Sequence, residues 1–232
     1  AFAGLFATEK VIEFGAESVK AFQEAELNAR KLQVAVGANG GTQTQFEKLI
    51  EQSATLQKQS IFSDDAIQQL QTAALQFGLT AEEVEKLTPT ILDFASATGQ
   101  DLNSAFEKIV SGMNGSEKAL RQYGIQVDKS KTEQENLASI TEQLTSKFQG
   151  QAQAIADSSG GSLKQLSNAW DDLKEVIGGA IAPAITGLAK LATGFVQAAS
   201  SSEKLSLKLE EEKKSLAGTE VQILSLNVGN KE

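Results

Sequence analysis

Residues 63–99 read SDDAIQQLQTAALQFGLTAEEVEKLTPTILDFASATG, and their punctuation decides the fold. Ser63 before Asp64 and Asp65 opens a helix. A Ser hydroxyl accepts from a free first-turn amide, and carboxylates there suit the positive end of the helix dipole. Gly78 stops that helix. Thr80 opens the next, and Glu83 completes a T-x-x-E capping box. Thr88-Pro89 predicts a break, because the residue before proline avoids the helical region. Pro89 then suits the first position of a further helix ending at Gly99.

Upstream, residues 1–36 read as one long helix, with Phe2, Leu5, Phe6, Ile12, Val19, Phe22 and Leu32 at roughly helical spacing. GANGG at 37–41 is a strong stop, and a second helix follows with Phe46, Leu49, Ile50 and Ala54 on one face. Downstream, Asp101 reopens the pattern with Leu102, Phe106, Ile109 and Val110. The stretch SGMNGSEKALRQYGIQVD, 111–128, has the glycines of a catalytic loop but reads as a corner between helices. Ser116 is placed to cap a short helix, Leu120 and Tyr123 to fill the corner, and Gly124 to end it in the left-handed region. Ile125 and Val127 then form an extended, apolar tether.

Two segments align at an offset of 36 residues, with Asp65 on Asp101, Thr80 on Ser116 and Leu87 on Tyr123. This reads either as a helix–loop–helix duplication or as an amphipathic helix matching itself after about ten turns. Thr132 and Glu135 form another capping box, before Leu137, Ile140, Leu144 and Phe148. Ser162 is expected to cap a helix whose Leu163, Leu166, Trp170, Leu173 and Ile177 recur at the three-and-four spacing of a coiled-coil seam. Residues 176–202 carry one charge, Lys190, and are rich in Gly, Ala, Ser and Thr. The charged run SEKLSLKLEEEKKSLAG follows and suits a solvated helix or coiled coil. The expectation is an all-α chain of short-to-medium amphipathic helices in hairpins, with Gly/Ser breaks and coiled-coil ends. It divides into a long N-terminal helix (1–40), a helix-hairpin module (41–128), a helical hairpin with the apolar small-residue segment (129–200) and a charged fragment (201–232).

Composition narrows the chemistry. The 232 residues contain no Cys and no His, which removes disulfides, thiol nucleophiles and histidine bases. The net charge of −9 argues against specific nucleic-acid binding, which needs clustered Lys and Arg, although an acidic wall can let DNA slide past without sticking. Asp171-Asp172 are sequence neighbours that diverge around a helix, so they cannot flank one substrate as a glycosidase pair must. Arg30 and Arg121 read as surface groups. No catalytic, metal or cofactor site is expected. The chain begins AFAGLFATEK and ends NVGNKE, and both ends read as cuts within a longer protein.

Four stretches occur in order: residues 57–106, GSEKALRQYGIQVD at 115–128, ENLASITEQLTSKFQGQAQA at 135–154, and LKQLSNAWDDLKEVIGGAIAPAI at 163–185. Over roughly residues 40–195 their order and spacing resemble the conserved region of phage tail tape measure proteins. The resemblance implies a mostly helical protein of the virion tail lumen whose length sets tail length and which is ejected ahead of DNA. It implies tail tube subunits and tail assembly chaperones as partners, self-association in the lumen, and contact with the host membrane on ejection. In that frame Ile177, Ile181, Pro183, Ile185, Leu188, Leu191 and Phe195 mark a candidate membrane or helix-packing segment. The alternatives are a membrane-active delivery protein and a non-phage helical coiled-coil protein. A ruler favours continuous helix, whereas these breaks suggest a foldable module that straightens inside the tube.

Overall fold

A computed structural model describes residues 2–187 and 190, with side chains from Lys10 onward. The fold is all-α. The helices are α1 (Phe2–Ala38), α2 (Gln43–Lys58), α3 (Asp64–Gln76), α4 (Ala81–Thr98), α5 (Leu102–Met113), α6 (Glu117–Arg121), α7 (Glu133–Phe148) and α8 (Gln151–Ala156). A further helix, α9, is described over 159–187. No strand occurs among the described residues. The chain forms two compact units, 1–179 and 180–232, and the second is described only as helical over 180–187 and at 190. The charged 201–232 fragment lies outside the described residues.

Local capping sets the helix starts. Ser63 accepts from the Ala66 amide, and Thr80 and Thr132 make reciprocal boxes with Glu83 and Glu135. Thr42 and Gln45 form another such box at the start of α2. Several helix ends share one device. Gly78 and Gly99 sit at φ 107° and 66°, and the next amides, Leu79 and Gln100, donate back to the Ala74 and Ala95 carbonyls at 3.2 and 3.0 Å. These are Schellman stops, for which glycine carries no Cβ penalty. The chain therefore turns sharply after α3 and α4, which stack on a shared core.

Within 1–179, Leu32 of α1, Leu49 of α2, Leu70 of α3, Phe94 of α4, Ile109 of α5 and Ile140 of α7 all lie in one buried cluster. The segments 1–40, 41–128 and the start of 129–200 thus share a core. Asp93 of α4 accepts from the Gly150 and Ala152 amides at 3.1 and 2.9 Å, capping α8, which makes no cap bond from its own Gly150.

Two sequence expectations are corrected, and the offset-36 alignment holds only in part. Thr88-Pro89 does not break the chain: α4 runs unbroken from Ala81 to Thr98 with Pro89 inside. Proline leaves the carbonyl four residues earlier without its donor. Gln52 of α2 supplies one, donating Nε2 to the Glu85 carbonyl at 2.7 Å. The start of α9 is residue 159, not Ser162: Ser158 accepts from the Gly161 amide at 3.1 Å, and Ser162 lies within the helix. Of the caps aligned at offset 36, Thr80 and Ser116 both stand at N-caps, but Asp65 and Asp101 are not equivalent. Asp101 caps α5, whereas Asp65 lies inside α3 behind Ser63, and α4 has 18 residues where α6 has 5.

Candidate functional site

The corner at 111–128 is built from its own residues. Leu120 is fully buried, and a Cβ at Gly112 would meet Leu120 Cδ1 at 2.6 Å and Ile140 Cδ1 at 2.8 Å, so α5 and α7 close tightly on it. Tyr123 lays its ring edge-on to Phe94 at 4.8 Å, and its hydroxyl accepts from Gln100 Nε2 at 3.0 Å. Gly124 adopts φ 68°, and Lys147 Nζ donates to the Tyr123 and Gly124 carbonyls at 3.1 and 2.8 Å. Ser116 stands at the N-cap of α6 but makes no side-chain cap bond. Past the corner, the amide of Gln143 brackets Gln126: its Oε1 accepts from the Gln126 amide at 2.7 Å, and its Nε2 donates to the Gln126 carbonyl at 2.9 Å. Ile125 is thereby held inward and buried. Tyr123, Lys147 and Gln143 end on neighbouring backbone or side-chain groups, which is the chemistry of a fixed turn.

The apolar segment is only partly within the described residues. Ile177, in the first unit, is half-buried, and the adjoining Gly178 and Gly179 meet α1. A Cβ at Gly178 would lie 1.9 Å from the Ser18 carbonyl oxygen, so glycine permits that approach. In the second unit Ile181 is half-buried, and Pro183 and Ile185 are exposed within the continuing helix, so Pro183 does not end it. Leu188, Leu191 and Phe195 lie outside the described residues. Among the described residues no helix is long and apolar enough to cross a membrane.

The structure gives the 163–177 seam an orientation that its spacing leaves open. Leu163, Leu166, Trp170 and Leu173 are 70, 67, 52 and 43% exposed and point outward, while Ile177 is half-buried. The opposite, polar face of α9 is the one that docks. Gln165 Nε2 donates to the Lys58 carbonyl at 3.0 Å, and Asn168 Nδ2 reaches the Ile61 carbonyl at 3.5 Å. The Lys58 carbonyl ends the last turn of α2 and the Ile61 carbonyl lies beyond it, where donors are needed and leucines supply none. Trp170, ring to ring with Phe14 at 5.8 Å, ties the seam back to α1.

That docking builds a cleft the sequence does not announce. Gln57 bridges it: its Oε1 accepts from the Asp64 amide at 2.7 Å, and its Nε2 donates to Asp172 at 2.8 Å. Asp64 and Asp65 enter from α3, Asp171, Asp172 and Glu175 from α9, and Glu17 and Glu24 from α1. Lys20 and Lys174 are the cations on its wall, and Lys174 is paired with Asp171 at 2.8 Å. Burial, then the charge of Asp65, pushes the Asp64 carboxyl above its ordinary value. Burial also raises Asp172, against the Gln57 hydrogen bond. Burial, then Asp65, Asp64, Asp172 and Asp171, pushes Glu175 up to about 7. Carboxylates far apart in sequence are thus gathered by three helices, and the neighbours Asp171 and Asp172 both reach the same cleft, one paired with Lys174 and the other accepting from Gln57. Among the described residues, no group of three or more His, Cys, Asp or Glu is arranged to hold a metal ion. Comparison with protein-family models, with curated proteins and with solved structures returns no match.

Proposed function

We propose that this chain is part of a phage tail tape measure protein, a structural component that sets tail length during assembly and leaves the tail ahead of DNA. The observation that carries the reading is the ordered series of four stretches between residues 57 and 185. The capped, amphipathic helices those stretches form support it, because helix is the element through which a chain measures length. On this reading the compact unit is the state before or outside the tube. The glycine stops are local, so the same chain can straighten when tube subunits and neighbouring copies replace its own core. Tail tube subunits, tail assembly chaperones, other copies of the chain in the tail lumen and the host membrane are its partners.

Tail length tests the proposal. Residues 88–123 are deleted in frame from the full gene, and tails are measured by electron microscopy. A ruler that is helical in the tube shortens by ~54 Å, at about 1.5 Å for each of the 36 residues removed. Tails of unchanged length overturn the ruler reading for this segment.

A further inference from the structure

We propose that α9 is a strap seated on the body by its polar face, held closed in mild acid and loosened as the pH rises. The first ground is which face docks. A helix bearing an apolar seam at three-and-four spacing normally buries that seam. Here Leu163, Leu166, Trp170 and Leu173 are exposed, and the seat includes the Gln165, Asn168 and Gln57–Asp172 hydrogen bonds, the close approach of Gly178 and Gly179 to Ser18 and Phe22, and the Phe14–Trp170 contact. Hydrogen bonds exchanged with water contribute little net stability each, so the polar part of this seat holds α9 only modestly.

The second ground is what the seat brings together. Glu175 of α9 faces Asp64 and Asp65 on α3, with Asp171 and Asp172 on its own helix. From α1 come Glu17, Lys20 and Glu24, and Lys174 is engaged by Asp171. Lys58, at the end of α2, acts on Asp172. Seven carboxylates line the cleft against Lys20 and Lys174, so ionisation there pushes α9 away from α1 and α3.

The sign follows from the groups involved. Glu175 of α9 is raised by burial and then by Asp65 and Asp64 of α3, so the seated form holds that proton to higher pH than the released one. Seating is therefore favoured as pH falls. For Glu175 that advantage is lost as pH climbs from its ordinary 4.5 through about 7. The cleft is open to water, which screens part of the effect, and the seating constant is expected to drop about tenfold between pH 5.5 and 8. The inference does not rest on a role in a phage tail.

The chain has no Cys, so two engineered ones report cleanly. Gln59 and Ser167 are exposed, one beyond α2 and the other on α9. The Gln59→Cys/Ser167→Cys chain is spin-labelled, and the label separation is measured by pulsed electron–electron resonance at pH 5.5 and 8. The expected result is one short distance at pH 5.5 and an added long-distance population at pH 8. Glu175→Gln in the same background should keep the short distance at pH 8. Helix content by circular dichroism should hold across the range, because the strap moves without unfolding. Identical distance distributions at the two pH values overturn the proposal. So does a long-distance population in the Glu175→Gln chain equal to that of its parent, or a loss of helix signal that accompanies the change.

Discussion

Pro89 removes one backbone donor from the middle of α4, and Gln52 supplies the replacement at the Glu85 carbonyl. The same Gln52 accepts from Gln71 Nε2 at 3.1 Å, and Gln71 in turn reaches the Leu49 carbonyl, so one short chain of amides ties α2, α3 and α4. Gln52→Ala is expected to destabilise the protein by about 1–2 kcal/mol, the usual range when a part-buried acceptor loses its partner. In a Pro89→Ala background the helix recovers its own donor, and the same Gln52→Ala change should cost less. A double-mutant cycle by urea unfolding measures that coupling. Equal costs in both backgrounds would show that Gln52 acts only through Gln71. The sequence hides this arrangement because the local rule for Thr88-Pro89 is sound, and a residue on another helix overrides it.

Helix starts show the boundary between what was legible and what was not. The caps at Ser63, Thr80 and Thr132 could be read because donor and acceptor lie within four residues of one another. The start of α9 was misplaced because Ser158 and Ser162 both precede plausible helix, and only the backbone decides between them. The facing of α9 was illegible for a different reason: seam spacing does not say what the opposite face meets, and here that face meets carbonyls at and just past the end of α2. The acidic cleft needs three helices to converge, and no spacing in the chain records that. The element scale yields a contrast. Thr80→Ala and Thr132→Ala should each lower stability by about 1 kcal/mol, since each breaks a reciprocal box. Ser116→Ala should be close to neutral, because Ser116 makes no side-chain cap bond despite its N-cap position. Thermal unfolding of the three variants separates the two kinds of cap. A Ser116→Ala loss as large as the other two would show that residue type alone, and not the bond, sets the cost.

At the scale of the whole molecule, two sets of carboxylates pull stability in opposite directions with pH. Asp101, Asp128 and Glu135 are held below their ordinary values by hydrogen bonds from Ser104, Ser130 and Thr132. Groups of that kind stabilise the fold above the ordinary carboxylate range, and their contribution is lost as pH falls through their lowered values. Asp64, Asp172 and Glu175 are shifted the other way, by burial first. Their ionisation costs the folded state, and for Glu175 the cost grows from pH 4.5 to about 7. Stability should therefore climb out of strong acid, reach its maximum near pH ~5, and decline toward neutrality. Urea midpoints taken at pH 3, 5 and 7.5 check the shape. Asp101→Asn should flatten the acid limb, where the Ser104 bonds no longer distinguish charged from neutral. Glu175→Gln should flatten the decline above pH 5, because the amide does not ionise. A midpoint that rises steadily to pH 7.5 in the parent chain would mean that the cleft carboxylates find their counterions in water and that the hydrogen-bonded caps alone set the pH dependence.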